Sequence, residues 1–198
     1  MDWQARQNRR RARTLDWVVE RLHAPNRPRL QAEPTSAPTA DLLADLLAAW
    51  SAAGQRVLEV GPADALHPET FMARGASAYA GLATRPAGLD RLAARFPQCA
   101  FHAGDLLHFL ANRSARFDLI FDGRPGHGLL ERELAGTAAA LAPGGWWWRQ
   151  APADAADWRP LDLQLRRLGL ALHGRRILAD GARLLVCQRP DRRLRRSA

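Results

Sequence analysis

Gln55–Gly61 reads Gln-Arg-Val-Leu-Glu-Val-Gly, an apolar run that closes on an acid and then a glycine. Further apolar runs follow at intervals: SAYAGL from Ser77, QCAFHA from Gln98, FDLIFD from Phe117 and GGWWWRQ from Gly144. Helical segments separate them, and strands alternating with helices imply right-handed crossovers and a mostly parallel sheet. Ligands of such a sheet bind outside the carboxyl ends of its strands. The candidate site is therefore the set of turns at Glu59 to Ala65, Leu82 to Arg85, Gly104 to Leu106 and Asp122 to His127.

The chain has 198 residues with 47% hydrophobic content, which suits one folded domain with a sufficient core. The formal charge of +9 is unevenly placed. Residues 1 to 30 hold eight Arg and three acids, and residues 189 to 198 hold five Arg and one acid, so the ends carry +5 and +4 and the body nets to zero. This argues for local polyelectrolyte ends and against a basic groove across the domain. Residues 1–38 read as a basic amphipathic helix and a Pro-rich arm, residues 39–188 as the folded domain, and residues 189–198 as a basic tail. Nucleic acid would be met through these tails only.

No stretch approaches the roughly 20 apolar residues that span a bilayer, and the N-terminus lacks the apolar region of a secretory signal, so the expectation is a cytoplasmic protein with no membrane association. Cys99 and Cys187 lie in apolar runs and read as small buried hydrophobes. The histidines have no metal-ligand spacing, and no metal is assigned. A helix from Ala40 to about Ala53 is expected to lead into the first strand, with Gly54 as its stop, and a second helix is expected from about Asp157 to Leu168. Asp180-Gly181 between two strand-like runs signals a hairpin, so the sheet should end in an antiparallel pair. The three indoles Trp146, Trp147 and Trp148 must alternate across the sheet, and core packing is their expected role. An aromatic wall at Trp148 to Gln150, with Arg149 facing a planar or anionic substrate, is the rival reading.

Five segments together resemble the class I S-adenosylmethionine-dependent methyltransferase family: VLEVGPADA (57–65), AYAGLATRPAGLDRLAARFP (78–97), AFHAGDLL (100–107), FDLIFDG (117–123) and LAPGG (141–145). The resemblance implies an α/β, Rossmann-like, mostly parallel seven-stranded sheet with a terminal antiparallel hairpin and helices on both faces. It implies S-adenosylmethionine as cofactor, with Glu59 facing its amino-acid end and Gly61 letting it approach the backbone. Ala63 and Ala65 stand where the family usually has glycines. Ala83 stands where the family usually has the acid that accepts from both ribose hydroxyls; Thr84 and Asp64 are the neighbouring oxygens. Asp105 and the Leu106 amide are placed to meet the adenine, and Asp105 is equally suited to cap the helix that follows.

Asp122 ends the fourth strand over the expected place of methyl transfer, and His127 follows in its turn; both are candidates to assist catalysis. DGRPGH (122–127) does not match the Asn/Asp-Pro-Pro-aromatic signature of amino-group methylating members. The leading expectation is a methyltransferase acting on an unidentified acceptor. Its alternatives are a methyltransferase-like domain without cofactor that serves as a binding or scaffold subunit for a protein partner, and an RNA-modifying or RNA-binding protein working through the arginine-rich tails.

Overall fold

The computed structural model describes residues 50–111, 116–124, 131–151, 159–177 and 183–191. The basic helix, the Pro-rich arm, His127, the Asp180-Gly181 turn and the last seven residues lie outside this set. The described elements are β1 (Arg56–Gly61), a 3-10 turn (Ala63–Ala65), α1 (Pro68–Ala73), β2 (Ala78–Ala83), α2 (Leu89–Arg95), β3 (Ala100–Ala103), α3 (Leu106–Ala111), β4 (Phe117–Asp122), α4 (Glu131–Ala140), β5 (Leu141–Ala151), α5 (Arg159–Arg167), β6 (Ala171–Ile177) and β7 (Arg183–Gln188).

The strands form one sheet in the order β3-β2-β1-β4-β5-β7-β6. The pairs from β3 through β5 are parallel, whereas β7 runs antiparallel to both β5 and β6. The hairpin signal at Asp180-Gly181 thus joins two strands that do pair antiparallel. Because β1 has β2 on one side and β4 on the other, the strand order reverses there, and the carboxyl ends of β1 and β4 are where a sheet of this kind has its ligand crevice.

The central strands read as continuous apolar runs because both faces are covered. Val57, Trp146 and Trp148 join Trp50, Phe71 and Tyr79 in one core cluster. Leu58, Val60, Ile120 and Trp147 join Leu106, Leu134 and Leu165 in the other. The three tryptophans therefore split between the two faces as the two-residue strand period requires, and all are buried. That burial removes the aromatic-wall reading of β5.

Two expectations are corrected by local geometry. The helix expected to reach Ala53 does not include residues 50–53: the chain has already turned, with the Gln55 amide donating to Ala52 O and the Gly54 amide to Gly75 O. Trp50 is left buried against Trp148 at 5.5 Å between ring centroids. Cys99 is only half-buried, just ahead of β3, while Cys187 in β7 is fully buried.

The Pro143-Gly144-Gly145 segment lies within β5 as an irregularity, the pairing with β4 shifting between Phe117 and Leu119. Gly144 has φ +78°, and a Cβ at Gly145 would lie 2.8 Å from Ala142 O, so both positions need glycine. Arg189, at the start of the basic tail, is tied into this corner. Its backbone exchanges hydrogen bonds with Gly144 and Gly145, and its guanidinium donates to Leu141 O and Ala138 O at the end of α4. No helix among the described residues is long and apolar enough to cross a membrane.

Candidate functional site

The turn after β1 forms the floor of the crevice. Gly61 pairs in register with Ala83, the last residue of β2. Apart from its chain neighbours, none of the described residues comes within 4 Å of where a Gly61 side chain would begin. The chain then tightens into the 3-10 turn, closed by the Ala65 amide donating to Pro62 O. Ala63 and Ala65 are half-buried and Asp64 is exposed.

Glu59 faces inward. Only 1% of it is exposed. Oε2 accepts from the Tyr79 hydroxyl and from the His67 amide, the latter at 2.7 Å, and Oε1 lies 2.7 Å from His67 Nδ1. Period two puts Glu59 on the same face as Val57, toward Tyr79 and α1, so the carboxylate fastens the start of α1 to the sheet. Burial opposes a charge on His67, but the hydrogen bond and the charge of Glu59 outweigh it and raise its pKa above the ordinary 6.5. Burial and then the charge of Glu59 hold the Tyr79 phenol well above its ordinary value, so it remains a donor.

At the ends of β2 and β3 the residues divide by exposure. Ala83 is 0% exposed, packed in a small apolar cluster with Leu66 and Leu89 and bordered by Ala63 and Phe101. Thr84 and Arg85, next in the chain, are exposed. The Gly104 amide donates to Ala83 O at 2.9 Å, tying the two strand ends together. Gly104 has φ +142° with open space beside it. Asp105 is exposed, and its Oδ1 accepts from the His108 amide at 3.0 Å, the N-cap role. Leu106 begins α3 with its side chain buried.

Four buried charged side chains meet at the ends of β4 and β5: Asp122, Arg124, Arg149 and, from α4, Glu133. Asp122 Oδ1 accepts from Arg124 Nε at 2.9 Å and from the Arg124 amide at 3.3 Å. Oδ2 accepts from Arg124 NH2 at 2.9 Å and Arg149 NH1 at 2.8 Å. Arg124 NH1 also donates to Glu133 Oε1 at 3.0 Å, and Arg149 NH1 lies 4.0 Å from Glu133 Oε2. A carboxylate has about four acceptor positions, and those of Asp122 are filled by protein donors. Two guanidinium groups and two carboxylates balance to a neutral cluster. Burial lowers Arg149 from its ordinary pKa, with the charge of Arg124 adding and Asp122 and Glu133 opposing. For Arg124 burial acts the same way, but Asp122 and Glu133 outweigh it and the pKa rises.

Sequence reasoning missed the partners: His67 and Tyr79 for Glu59, and Arg124, Arg149 and Glu133 for Asp122. A signal existed. Glu59 and Arg149 are charged residues inside runs buried on both faces, where a charge is tolerated only when paired. Among the described residues no group of three His, Cys, Asp or Glu could hold a metal.

The sheet order and the crevice at β1 and β4 define the fold of class I S-adenosylmethionine-dependent methyltransferases. Solved structures share it. The 1,6-didemethyltoxoflavin-N1-methyltransferase of Burkholderia thailandensis, with bound 1,6-didemethyltoxoflavin and S-adenosylhomocysteine, is similar at a TM-score of 0.64 and 18% identity, over 78% of this chain and 79% of that one. The N-methyltransferase NodS of Bradyrhizobium japonicum, in complex with S-adenosylhomocysteine, matches at 0.58 and 22%, over 89% and 98%. An S-adenosylmethionine-dependent methyltransferase of Mesorhizobium loti matches at 0.60 and 18%, over 78% and 99%. At these identities the likeness establishes the fold. No protein-family model matches the chain, and no curated protein sequence is significantly similar to it.

The rim residues fit an S-adenosyl group at two places. The open space at Gly61 and at Gly104 is room that a side chain would fill, and exposed Asp105 has an oxygen beyond its cap bond. Ala83 supplies no acceptor, and buried Glu59 is occupied by His67 and Tyr79.

Proposed function

We propose that the protein is an S-adenosylmethionine-dependent methyltransferase acting on an unidentified acceptor. The observation that carries this reading is the empty space above Gly61 at the point where the strand order reverses. Gly61, Gly104, Asp105, the Leu106 amide and exposed Thr84 would hold the cofactor, which when bound supplies a methyl already activated on a sulfonium. The work left to the chain is holding and aligning, which supplies much of the rate of such a transfer. Asp122, with its acceptor positions filled by Arg124 and Arg149, would stiffen the floor on the acceptor side. Proton removal would fall to His127 or to the acceptor's own ionisation.

Calorimetric titration with S-adenosylmethionine and S-adenosylhomocysteine tests this, using wild type and Gly61→Val. Micromolar binding is expected in wild type. The valine should abolish it, while Gly61→Ala, whose Cβ meets none of the described residues within 4 Å, keeps the melting temperature nearly unchanged. Absence of heat up to millimolar ligand in folded wild type overturns the reading. A cytoplasmic location is part of the same proposal.

A second reading, a cofactor-free scaffold subunit with a protein partner, is favoured by the buried Ala83 and the occupied Asp122. It requires a folded chain that ignores both ligands. The third, RNA binding through the arginine-rich tails, concerns residues almost all outside the described set, and predicts steeply salt-dependent binding that vanishes when the tails are removed.

A further inference from the structure

We infer that Asp64, in the turn after β1, receives the ribose hydroxyls of the bound nucleoside in place of the acid missing at position 83. This rests on the methyltransferase reading of the crevice and names the residue that sets its ribose recognition. Ala83 cannot contribute: it is fully buried among Leu66, Leu89 and Ala63, and its side chain has nothing to donate or accept. The ribose contact must come from a neighbouring strand end or its turn.

The geometry points to the β1 turn. Gly61 is the register partner of Ala83, so the chain leaving β1 starts beside the end of β2. It is held there by packing, since Ala63 lies against the cluster of Leu66, Ala83 and Leu89. The 3-10 geometry of Ala63–Ala65 keeps the turn short and makes Asp64 its exposed member. Among the described residues Asp64 has neither a hydrogen-bond nor an ion-pair partner, whereas Glu59, Asp122 and Glu133 are all engaged inside the protein. A carboxylate so placed has both oxygens available for a pair of hydroxyls, the two-oxygen acceptance that alanine at 83 has removed. Exposed Thr84 adds one hydroxyl from the adjoining strand end.

The test is calorimetric titration of the full chain with S-adenosylhomocysteine and with its 2′-deoxy analogue, in wild type, Asp64→Ala, Asp64→Asn and Ala83→Asp. Asp64→Ala should weaken S-adenosylhomocysteine about tenfold or more, the loss expected for charge-assisted bonds to hydroxyls. Asp64→Asn should fall between. The 2′-deoxy analogue should bind wild type more weakly, and its loss should largely disappear in Asp64→Ala, since the two changes remove the same contact. Ala83→Asp should melt earlier and bind no tighter, because its carboxylate enters an apolar cluster. If wild type binds and Asp64→Ala binds equally well, or Ala83→Asp gains affinity, this inference falls and the methyltransferase reading stands. If folded wild type binds neither ligand, both fall.

Discussion

Replacing Asp122 by alanine should be among the most damaging single changes in the described core. Asp122 accepts from Arg149 NH1 at 2.8 Å and from two Arg124 nitrogens at 2.9 Å, and only 1% of Asp122 and of Arg149 is exposed. Without it, Glu133 stands 4.0 Å from Arg149 and already accepts from Arg124. Removing one partner of a buried pair costs about 3–5 kcal/mol, because the other charge stays buried. At a urea slope of about 2 kcal/mol per molar, the unfolding midpoint drops by about 1.5–2.5 M. The control is Glu69→Ala. Glu69 and Arg95 make a shorter contact, 2.7 Å, yet both side chains are about two-thirds exposed, so the loss is about 0–1 kcal/mol. Equilibrium urea unfolding followed by tryptophan fluorescence reads both. Asp122→Asn, which keeps one carbonyl acceptor, should fall between. If Asp122→Ala unfolds within about 1 kcal/mol of wild type at an unchanged slope, the cluster is not what holds the ends of β4 and β5.

His67 should titrate above its ordinary 6.5 by NMR, because Glu59 outweighs burial. A raised folded pKa adds stability fully below the unfolded value and loses it as pH rises through the folded one, so the advantage of wild type over His67→Gln in urea should shrink above pH 6.5. Burial pushes the Cys187 thiol up to about 12, so at pH 8 a thiol reagent should modify Cys99 alone in the native protein and both cysteines in urea; rapid native labelling of Cys187 contradicts its burial. Gly145→Ala should destabilise by about 1–3 kcal/mol, because its Cβ meets backbone oxygens at 2.8 Å and 3.1 Å. Gly61→Ala, which meets nothing, should change thermal stability by no more than about 0.5 kcal/mol.

The sheet was readable from the chain because its strands are buried on both faces, which turns them into apolar runs such as VLEV and DLIF that helices separate. The hairpin pairing followed from Asp180-Gly181, and the split of the three tryptophans from the two-residue period. The end of the helix before β1 was not readable, because Gly54 and Gln55 are drawn into hydrogen bonds with Gly75 and Ala52, the first of them 21 positions along the chain. The ionic cluster was hidden for the same reason. Asp122 and Arg149 are 27 residues apart and meet only because β4 and β5 pair in the register that sets them side by side. At the β2 end the sequence identified the missing acid, but the burial of Ala83 comes from Leu66 and Leu89, contributed by two other segments.

The two acids toward the ends of β1 and β4 are the ones a mutational screen would choose first, and both are already engaged by protein partners. Glu59 fastens α1 to the sheet through His67 and Tyr79, and Asp122 neutralises two buried guanidinium groups. Loosening of the fold in either variant would occur equally in an enzyme and in a cofactor-free scaffold, so it does not separate the two readings. The informative positions are those where the fold is indifferent and the ligand is not: Gly61, whose side-chain space is empty, and Asp64, whose carboxylate is exposed and has no partner among the described residues. A change there that spares the melting temperature and removes S-adenosylhomocysteine binding reports on the crevice alone. The separation is physical, because residues that hold this fold are saturated with protein partners and residues able to hold a ligand are not.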